Sequence, residues 1–182
     1  TRRRARRRGH GGRMIQGRIR PMIAADLERV LAWRNHPDIA RCMRQPEPIS
    51  PQAHADWFAR CQELDSRHLL IFETNAVPSG FVQLSIEQDI ADWGFYTAPN
   101  APRGTGRGLG RAALDHAFGP LGLAKVCGQV LATNPRSMRF HEALGFHREG
   151  VLRAQQNTPA GRVDLVCYGL LTSEWKDSAP ES

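Results

Sequence analysis

Glycine and arginine residues alternate between positions 103 and 111 in a pattern that suits the binding of a phosphate group. Successive glycines let backbone N–H groups converge on one anion without interference from Cβ atoms. Where a helix begins, its unpaired N–H groups and the positive end of its dipole add to the attraction. A pyrophosphate is the natural occupant of such a site. The segment reads Arg103-Gly104-Thr105-Gly106-Arg107-Gly108-Leu109-Gly110-Arg111, so three arginines lie near the expected anion.

Two other glycine-rich nucleotide sites fit this segment poorly. No Gly-Lys-Ser/Thr follows it, as the loop of the P-loop enzymes requires. A dinucleotide-binding fold would place its glycines directly after the first strand, with an acidic residue about 20 positions later. Here roughly a hundred residues precede the glycines. A flexible glycine turn without a ligand is the structural alternative.

A second segment, residues 134–146, adds to the first to give a resemblance to a known family. It reads Asn134-Pro135-Arg136-Ser137-Met138-Arg139-Phe140-His141-Glu142-Ala143-Leu144-Gly145-Phe146. Together the two segments resemble the GNAT acetyltransferases, whose sequences carry Gln/Arg-x-x-Gly-x-Gly/Ala and then Asn-x-x-Ser/Ala-x-x-Leu-Tyr-Glu-x-x-Gly-Phe. The glycine signature fits in two registers, beginning at Arg103 or at Thr105. The second is preferred because it leaves Leu109 and Leu114 on the buried stripe of the helix.

The resemblance implies an enzyme that uses acetyl-CoA as its co-substrate, without a metal ion. In the family the asparagine contacts the pantetheine arm, and the tyrosine of the later segment protonates the departing thiolate. His141 stands where that tyrosine is usual, and an imidazolium can donate a proton near neutral pH. His141 is therefore expected to act as the general acid. The cofactor is expected on Phe95, Thr97, Thr105, Gly106, Arg107, Gly108, Leu109, Gly110, Arg111, Asn134 and Ser137.

Residues that could select the acceptor amine lie in the segments Trp33-Arg34-Asn35-His36-Pro37-Asp38-Ile39 and Trp93-Gly94-Phe95-Tyr96. Aromatic faces with a fixed cation and imidazoles suit a base and a diphosphate, although each of these side chains could also be an ordinary core or turn residue. Across residues 15 to about 171 the chain resembles the N-acetyltransferases of pseudaminic acid biosynthesis, which acetylate the 4-amino group of a UDP-linked 4-amino-4,6-dideoxy sugar. That resemblance implies that the substrate lies on Arg34, His54, Ser85 and Tyr96.

The expected reaction is direct transfer in a ternary complex, without a covalent enzyme intermediate. The amine would lose its proton through water to His54, or to a nearby carboxylate such as Asp92. A backbone N–H group at residues 95–98 would hold the oxyanion of the thioester carbonyl. Protein N-termini and aminoglycosides stay open as other acceptors, because acetyltransferases of ribosomal-protein N-termini share similar Trp-Arg-Asn starts.

Hydrophobic patterns place these residues in a single α+β domain. Period-two patterns predict strands at 15–20, 69–73, 80–86, 91–97, 125–131, 146–153 and 163–171. Helical patterns and N-cap signals predict helices at 26–33, 38–43, 51–64, 109–118 and 137–144. This order predicts a mixed, mostly antiparallel twisted sheet with helices on both faces. Its parallel step, from 91–97 through 109–118 to 125–131, would place two splayed strands at the cofactor site.

The net charge of +7 looks at first like that of a nucleic-acid-binding protein. Seven arginines within residues 1–13 account for all of it, so the other 18 basic residues balance the 18 acidic ones. This stretch is predicted to be a disordered tail. It is read as an over-extended start upstream of Met14, a remnant of cloning, or a basic arm for polyanions. Only a basic arm would make the chain a polyanion-binding module. Such a module would lose its salt-dependent affinity for polyanions when residues 1–13 are deleted.

With 182 residues the chain is expected to hold one folded domain, residues 14–172, followed by a frayed end at 173–182. No apolar run approaches the roughly 20 residues that a membrane-spanning helix needs. The four cysteines show no Cys-x-x-Cys pair and no zinc-ligand pattern with the histidines. A reducing, cytoplasmic location and a monomer or homodimer are expected. The expected partner is a UDP-amino-sugar, and neither a membrane nor a nucleic acid.

Overall fold

The computed structural model describes residues 15–177. The strands are β1 (Arg18–Pro21), β2 (Arg67–Thr74), β3 (Val77–Glu87), β4 (Ile90–Thr97), β5 (Lys125–Leu131), β6 (His147–Thr158) and β7 (Gly161–Leu171). The helices are α1 (Leu27–Asn35), α2 (Pro37–Ala40), α3 (Pro51–Gln62), α4 (Thr105–Phe118), α5 (Pro135–Ala143) and α6 (Thr172–Asp177). All seven strands form one sheet in the order β1-β2-β3-β4-β5-β7-β6. No helix within residues 15–177 is long and apolar enough to span a membrane.

The alternation of side chains along the central strands divides the core into two clusters, one on each face of the sheet. On β2, Leu70 and Phe72 join the larger cluster, which α4 covers. Leu69 and Ile71 join a smaller cluster, which α1 and α3 cover. All four side chains are at most 4% exposed. The prediction of an α+β domain with a mixed sheet and helices on both faces is confirmed.

The predicted parallel step joins β4 to β5 through α4, and it is confirmed. The ladder between the two strands is short and pairs Ile90 with Lys125, Ala91 with Val126 and Asp92 with Cys127. Both strands keep their antiparallel neighbours, β3 and β7, over almost their whole length. Beyond the third pair, β4 and β5 therefore separate, and residues 93–97 of β4 lie along an open gap in the sheet.

Helix α4 begins at Thr105, four residues before the predicted start at Leu109, so most of the expected glycine loop is helical. Gly104 turns the chain into the helix with a φ of 99°, which glycine adopts without strain. Buried glycines within the helix let other segments approach closely. A Cβ atom on Gly108 would lie 1.9 Å from the carbonyl oxygen of Ile15. Close packing thus overrides the low helix propensity of glycine.

The predicted frayed end at 173–182 also differs from the structure over residues 173–177, which belong to α6, whereas residues 178–182 lie outside the described residues. Trp175 anchors this helix and is 8% exposed. Its indole Nε1 donates a hydrogen bond to Asp115 Oδ1 over 2.9 Å, and the guanidinium of Arg111 lies 5.2 Å from the ring centroid. The predicted tail at residues 1–13 lies outside the described residues, so the division of the chain at residue 14 stays a prediction.

Among the other predicted elements, only β6 departs by more than three residues at either end, since it runs on to Thr158. Pairing with β7 explains the extension, because Gln156, Asn157 and Thr158 lie opposite residues 161–163 in a hairpin. The polar sequence of this stretch lacks the apolar alternation by which a half-buried strand is identified.

Two buried carboxylates beside Arg20 tie β1 to β2 and to the start of the helical region. Arg20 Nε donates to Glu73 Oε1 over 2.6 Å, and its two Nη groups donate to Asp26 over 2.7 and 2.9 Å. Asp26 and Glu73 are 2% and 6% exposed. Hydrogen bonds from Arg20 hold the pKa of both carboxyl groups below their ordinary values of 3.8 and 4.5.

This cluster predicts a loss of stability in acid. A carboxyl group whose pKa is lower in the folded state stabilises the fold above its unfolded pKa, and this contribution disappears as the pH falls through the folded pKa. The free energy of unfolding, measured in urea between neutral pH and about pH 2, is expected to fall in acid, and Glu73→Gln is expected to reduce the slope. The exposed Glu63→Gln is the control and should leave the slope unchanged. Equal slopes for the two variants would contradict the assignment.

Candidate active site

The gap between β4 and β5 opens into a cleft of about 1040 Å³. Residues 92–97 of β4 form one wall, and α5 with its N-cap contributes Asn134, Ser137 and His141 to the lining. Gly106 lies at the end where α4 begins. At the other end the cleft meets Arg34 of α1, α2, and the residues that follow α2. The two ends differ in character, since backbone N–H groups mark the first and arginine side chains the second.

The end at α4 suits an anion because a helix begins there. The N–H groups of Gly106 and Arg107 belong to the first turn, where an α-helix leaves its N–H groups without intrahelical partners. Thr105 is 1% exposed, and its hydroxyl donates to the Pro102 carbonyl over 2.7 Å, which fixes the entry to the helix. Of the predicted phosphate residues, the structure brings Gly106 to the cleft.

The remaining residues of the glycine segment are distributed differently. Gly108, Leu109 and Gly110 are buried in the packing of α4. Arg107 is exposed at the start of the helix, beside the expected anion. Arg111, one turn further on, lies over the Trp175 ring instead.

Asn134 is the N-cap of α5 and lines the cleft. Its Oδ1 accepts a hydrogen bond from the Ser137 backbone N–H over 3.0 Å. No described residue accepts a hydrogen bond from its Nδ2 group, which is therefore available to a ligand. The cap fixes the side chain of Asn134, so the free amide group is held in place before any ligand binds.

His141 lies at the base of the cleft and is 2% exposed. Its Nδ1 is 2.8 Å from the Ser137 carbonyl oxygen, which can only accept, so Nδ1 carries the proton. Its Nε2 accepts a hydrogen bond from the indole Nε1 of Trp93 over 3.1 Å. Burial lowers the pKa of the imidazole. The ring is thus neutral with both nitrogens engaged, which disfavours the proton donation expected of His141.

Aromatic side chains of β4 form the long wall of the cleft. Phe95 packs against Phe140 with ring centroids 4.8 Å apart, and Tyr96 packs against Phe81 at 5.2 Å. Burial raises the pKa of the Tyr96 phenol, so it stays protonated and can donate a hydrogen bond. Thr97 lines the cleft beside them. The predicted residues Phe95, Tyr96 and Thr97 therefore meet at one wall.

The opposite end of the cleft carries guanidinium groups without a carboxylate partner. Arg34 Nη2 donates to the Gln45 carbonyl oxygen, whereas its Nη1 is buried and has no hydrogen-bond partner among residues 15–177. Arg44 donates to Gln156 Oε1 over 3.1 Å and to Gln129 Oε1 over 3.3 Å, both neutral groups. Neither arginine forms a salt bridge with any described acidic residue.

Arg44 belongs to residues 41–50, which join α2 to α3 and are called the strap below. The side chain of Gln156 returns a hydrogen bond from Nε2 to the Arg44 carbonyl over 2.9 Å. The strap therefore crosses the mouth of the cleft and reaches β5 and β6. The sequence gives no signal for Arg44, Gln129 and Gln156, because Arg44 is 85 positions from Gln129 and 112 positions from Gln156.

Two acidic side chains also line the cleft, Asp38 and Asp92. Asp38 is 3.1 Å from Arg41, which offsets its charge. Asp92 is exposed at the last position of β4 that pairs with β5, and it forms no hydrogen bond with a described side chain. It is the carboxylate that lies nearest the point where the two strands separate.

Two predicted substrate residues are not brought to the cleft. His54 of α3 is 5% exposed and stacks on Trp57, which packs against the smaller core cluster, with ring centroids 5.0 Å apart. Burial lowers the pKa of its imidazole. Ser85 of β3 accepts a hydrogen bond from Gln83 over 3.2 Å and another from Arg67. Neither lines the cleft. The spacing along the sequence could not show this, because it depends on which face of α3 and β3 is covered.

A metal ion has no evident place in the described part of the chain. No group of three or more His, Cys, Asp or Glu side chains lies close enough to hold one within residues 15–177. The cleft is lined by arginines, by aromatic rings and by the carboxylate of Asp92.

Comparison with known proteins gives a family match over most of the chain. Residues 18–147 match the model of the acetyltransferase (GNAT) domain. A prophage-derived uncharacterized N-acetyltransferase, YokL of Bacillus subtilis, is 26% identical over 133 residues, which cover 71% of this chain and 75% of that protein. Acetyltransferase PseH of Campylobacter jejuni is 23% identical over 122 residues, which cover 66% of this chain and 76% of that protein.

Solved structures share the fold. Spermidine N-acetyltransferase from Vibrio cholerae, crystallised with CoA and spermine, superposes with a TM-score of 0.82 at 23% identity and covers 88% of this chain and 98% of its own. The aminoglycoside acetyltransferase AAC(6')-Ib, in complex with paromomycin and acetyl-CoA, gives a TM-score of 0.76 at 19% identity, with 92% and 99% covered. At these identities the likeness concerns the fold and leaves the acceptor amine open.

Proposed function

The chain belongs to the GNAT acetyltransferase family, and from that premise we propose that it acetylates the 4-amino group of a UDP-linked 4-amino-4,6-dideoxy sugar. As a member of this family it is an acetyl-CoA-dependent N-acetyltransferase, with acetyl-CoA as its co-substrate. The resemblance of the sequence to the acetyltransferases of pseudaminic acid biosynthesis suggests the UDP-linked amino sugar as the acceptor. A cytoplasmic location, where thiols stay reduced, belongs to the same proposal.

The unpartnered Nη1 group of Arg34 is the observation that carries the proposal. A buried guanidinium N–H group without an acceptor costs free energy, and a ligand oxygen would remove that cost. With Arg44 also free of carboxylates and Asp38 paired to Arg41, this end of the cleft favours an anion. The diphosphate of a nucleotide sugar supplies that charge. Polyamines and aminoglycosides are cations and would face repulsion here.

The proposed reaction is direct transfer within a ternary complex. We assign the removal of the amine proton to Asp92 rather than to His54, because Asp92 lines the cleft and His54 is buried in the core beside Trp57. The amine then attacks the thioester carbonyl carbon. A backbone N–H group at residues 95–97 would hold the oxyanion. The Ala98 N–H group already donates to the Ser79 carbonyl over 2.8 Å, which removes it from the expected range.

A panel of amines tests the acceptor assignment. The protein, with and without residues 1–13, is incubated with acetyl-CoA and UDP-4-amino-4,6-dideoxy sugars, spermidine, an aminoglycoside or a peptide with a free N-terminus. Released thiol and product mass are measured. Acetylation of a UDP-amino-sugar alone would support the proposal. Acetylation of a cationic amine or a peptide, with no sugar modified, would overturn the substrate assignment while leaving the enzyme class in place.

The same panel tests the rival role of the tail. Full activity without residues 1–13 would separate those arginines from the reaction. A polyanion-binding module would instead be supported by two results together. The protein would acetylate none of the amines, and deletion of residues 1–13 would abolish its salt-dependent binding to a polyanion. Gel filtration of both forms would distinguish a monomer from a homodimer, the two states proposed for this chain.

Two substitutions of Asn134 are expected to separate ligand binding from helix capping. Asn134→Asp keeps an Oδ acceptor for the Ser137 N–H group but removes the Nδ2 donor, whereas Asn134→Ala removes both. Both are expected to raise KM for acetyl-CoA about tenfold, the effect of one lost hydrogen bond. Only the alanine variant should also lose about 1 kcal/mol of stability. An unchanged KM in Asn134→Asp would show that Nδ2 does not contact the cofactor.

A further inference from the structure

We propose that His141 is a positioning residue that fixes the Trp93 indole at the base of the cleft, and that the proton accepted by the CoA sulfur comes from the acetylated amine itself. The inference rests on acetyl transfer by this chain but not on the identity of the acceptor. It concerns the position at which the family resemblance predicts a proton-donating side chain.

The hydrogen bonds of the imidazole carry the first step. Nδ1–H donates to the Ser137 carbonyl over 2.8 Å, and Nε2 accepts from Trp93 Nε1 over 3.1 Å. An indole nitrogen can only donate. A second proton on Nε2 would therefore face the N–H group of Trp93, so this partner opposes the imidazolium. No N–H group of the ring is left to give to a ligand.

The surroundings of the ring lead to the same conclusion. Gly128 of β5 lies against it so closely that a Cβ atom would be 2.6 Å from Nε2, and Tyr168 stacks on it at 5.1 Å. The Tyr168 hydroxyl donates to Glu142 over 3.1 Å, so the carboxylate of the residue next to His141 is engaged with the phenol rather than with the imidazole. Asp92 lies in the same cleft but forms no hydrogen bond with His141. Catalytic histidines that become charged usually have a carboxylate on the second nitrogen.

Trp93 is the group that His141 positions. It is the first residue of β4 beyond the short parallel ladder, and it lines the cleft. Its ring stacks on Phe146 with centroids 5.1 Å apart, and its N–H group is anchored on His141. The Trp93–His141 bond thus joins β4 to α5 across the site where the sheet opens. A fixed indole at this point keeps one part of the cleft wall rigid, and we expect the acetyl group to lie along that wall.

The reaction balances without an acid from the protein. The neutral amine attacks the carbonyl carbon and forms a C–N bond, which gives a tetrahedral intermediate with a positively charged nitrogen and an oxyanion. Collapse breaks the C–S bond, and its electron pair leaves on the sulfur. The nitrogen then passes one proton to the thiolate, directly or through one water molecule. The products are the amide and CoA with a free thiol, so no further proton is consumed.

Four variants test this role: His141→Leu, His141→Gln, Trp93→Phe and the double variant Trp93→Phe/His141→Leu. His141→Leu, which cannot accept from Trp93, is expected to lower kcat about tenfold or more. His141→Gln, whose amide oxygen can accept but cannot titrate, should restore kcat to within about threefold of the wild type, with the same pH profile. Trp93→Phe combined with His141→Leu should cost little more than either alone. Equal losses of about 100-fold or more in both His141 variants, with the alkaline limb of kcat removed, would establish a general acid and overturn the proposal.

A spectroscopic measurement needs neither an active variant nor a known acceptor. The ¹⁵N shifts of the His141 ring are expected to show one tautomer, protonated at Nδ1, between about pH 6.5 and 8.5, with and without acetyl-CoA. A ring that is charged in this range, or that carries its proton on Nε2, would overturn the proposal. Because this result does not depend on the sugar, failure of the acceptor assignment and failure of this inference can be told apart.

Discussion

Replacing Arg34 with methionine is expected to lower kcat/KM for the anionic acceptor about 100-fold while KM for acetyl-CoA stays unchanged. The guanidinium has a buried Nη1 donor without a partner, and hydrogen bonds to a charged oxygen are each worth about 1.5–3 kcal/mol. Methionine keeps the length of the apolar stem, so packing on the cleft wall is largely retained. Steady-state kinetics with each substrate varied in turn measures both constants.

Arg60→Met is the matched control. Arg60 is exposed on α3, so this substitution removes the same charge at a position away from the cleft. It is expected to leave both constants unchanged. Arg34→Lys should lie between the wild type and the methionine variant, since it keeps the charge but loses the planar fork that matches phosphate oxygens. Equal behaviour of Arg34→Met and Arg60→Met would show that Arg34 does not contact the acceptor.

Replacing Gly128 with alanine is expected to lower the free energy of unfolding by about 2–4 kcal/mol and to reduce kcat as well. The added Cβ atom would lie 2.6 Å from His141 Nε2 and 2.8 Å from Trp93 Nε1. Both atoms belong to buried rings that are stacked on other aromatic residues, so neither can move without disturbing the core. The hydrogen bond between the two nitrogens would be lost at the same time.

Gly150→Ala provides the control, because a Cβ atom on this glycine of β6 would meet no atom within 4 Å. Its unfolding midpoint should stay within the experimental error of the wild type. For a chain of this size, the Gly128 variant should melt roughly 5–15 °C lower. A Gly128→Ala protein as stable as Gly150→Ala would mean that the Trp93–His141 contact is loose, and would weaken the positioning role.

The sequence predicted the fold well because its signals were local. Alternating apolar residues marked β2, β3 and β4, and the buried run at 125–131 gave the bounds of β5 without error. The parallel crossover followed from the order of these elements together with the glycines at its helix. The start of α4 was placed too late, because glycine favours loops in isolation. The close approach of Gly108 in α4 to Ile15 depends on contacts between distant parts of the chain.

The candidate site was predictable where a motif carried it and not where contacts decided it. Asn134, Gly106 and Arg34 lie at the cleft as expected. The neutral state of His141 depends on Trp93, which lies 48 positions earlier in the chain and was read as part of an aromatic motif. His54 lies outside the cleft because it is on the face of α3 that packs against the sheet. Such facts arise from packing, and no spacing in the sequence encodes them.

The three residue pairs between β4 and β5 also have a mechanical meaning. They are the narrowest backbone connection in the sheet, between a four-stranded half and a three-stranded half. Such a junction can bend with less resistance than a full ladder. The hydrogen bonds of Arg44 with Gln129 and Gln156 attach the strap to the three-stranded half, at the open side of the sheet. A ligand that bridges both strands would supply cross-links that the backbone lacks there. A bound ligand would then restrict the motion of the two halves of the sheet relative to each other.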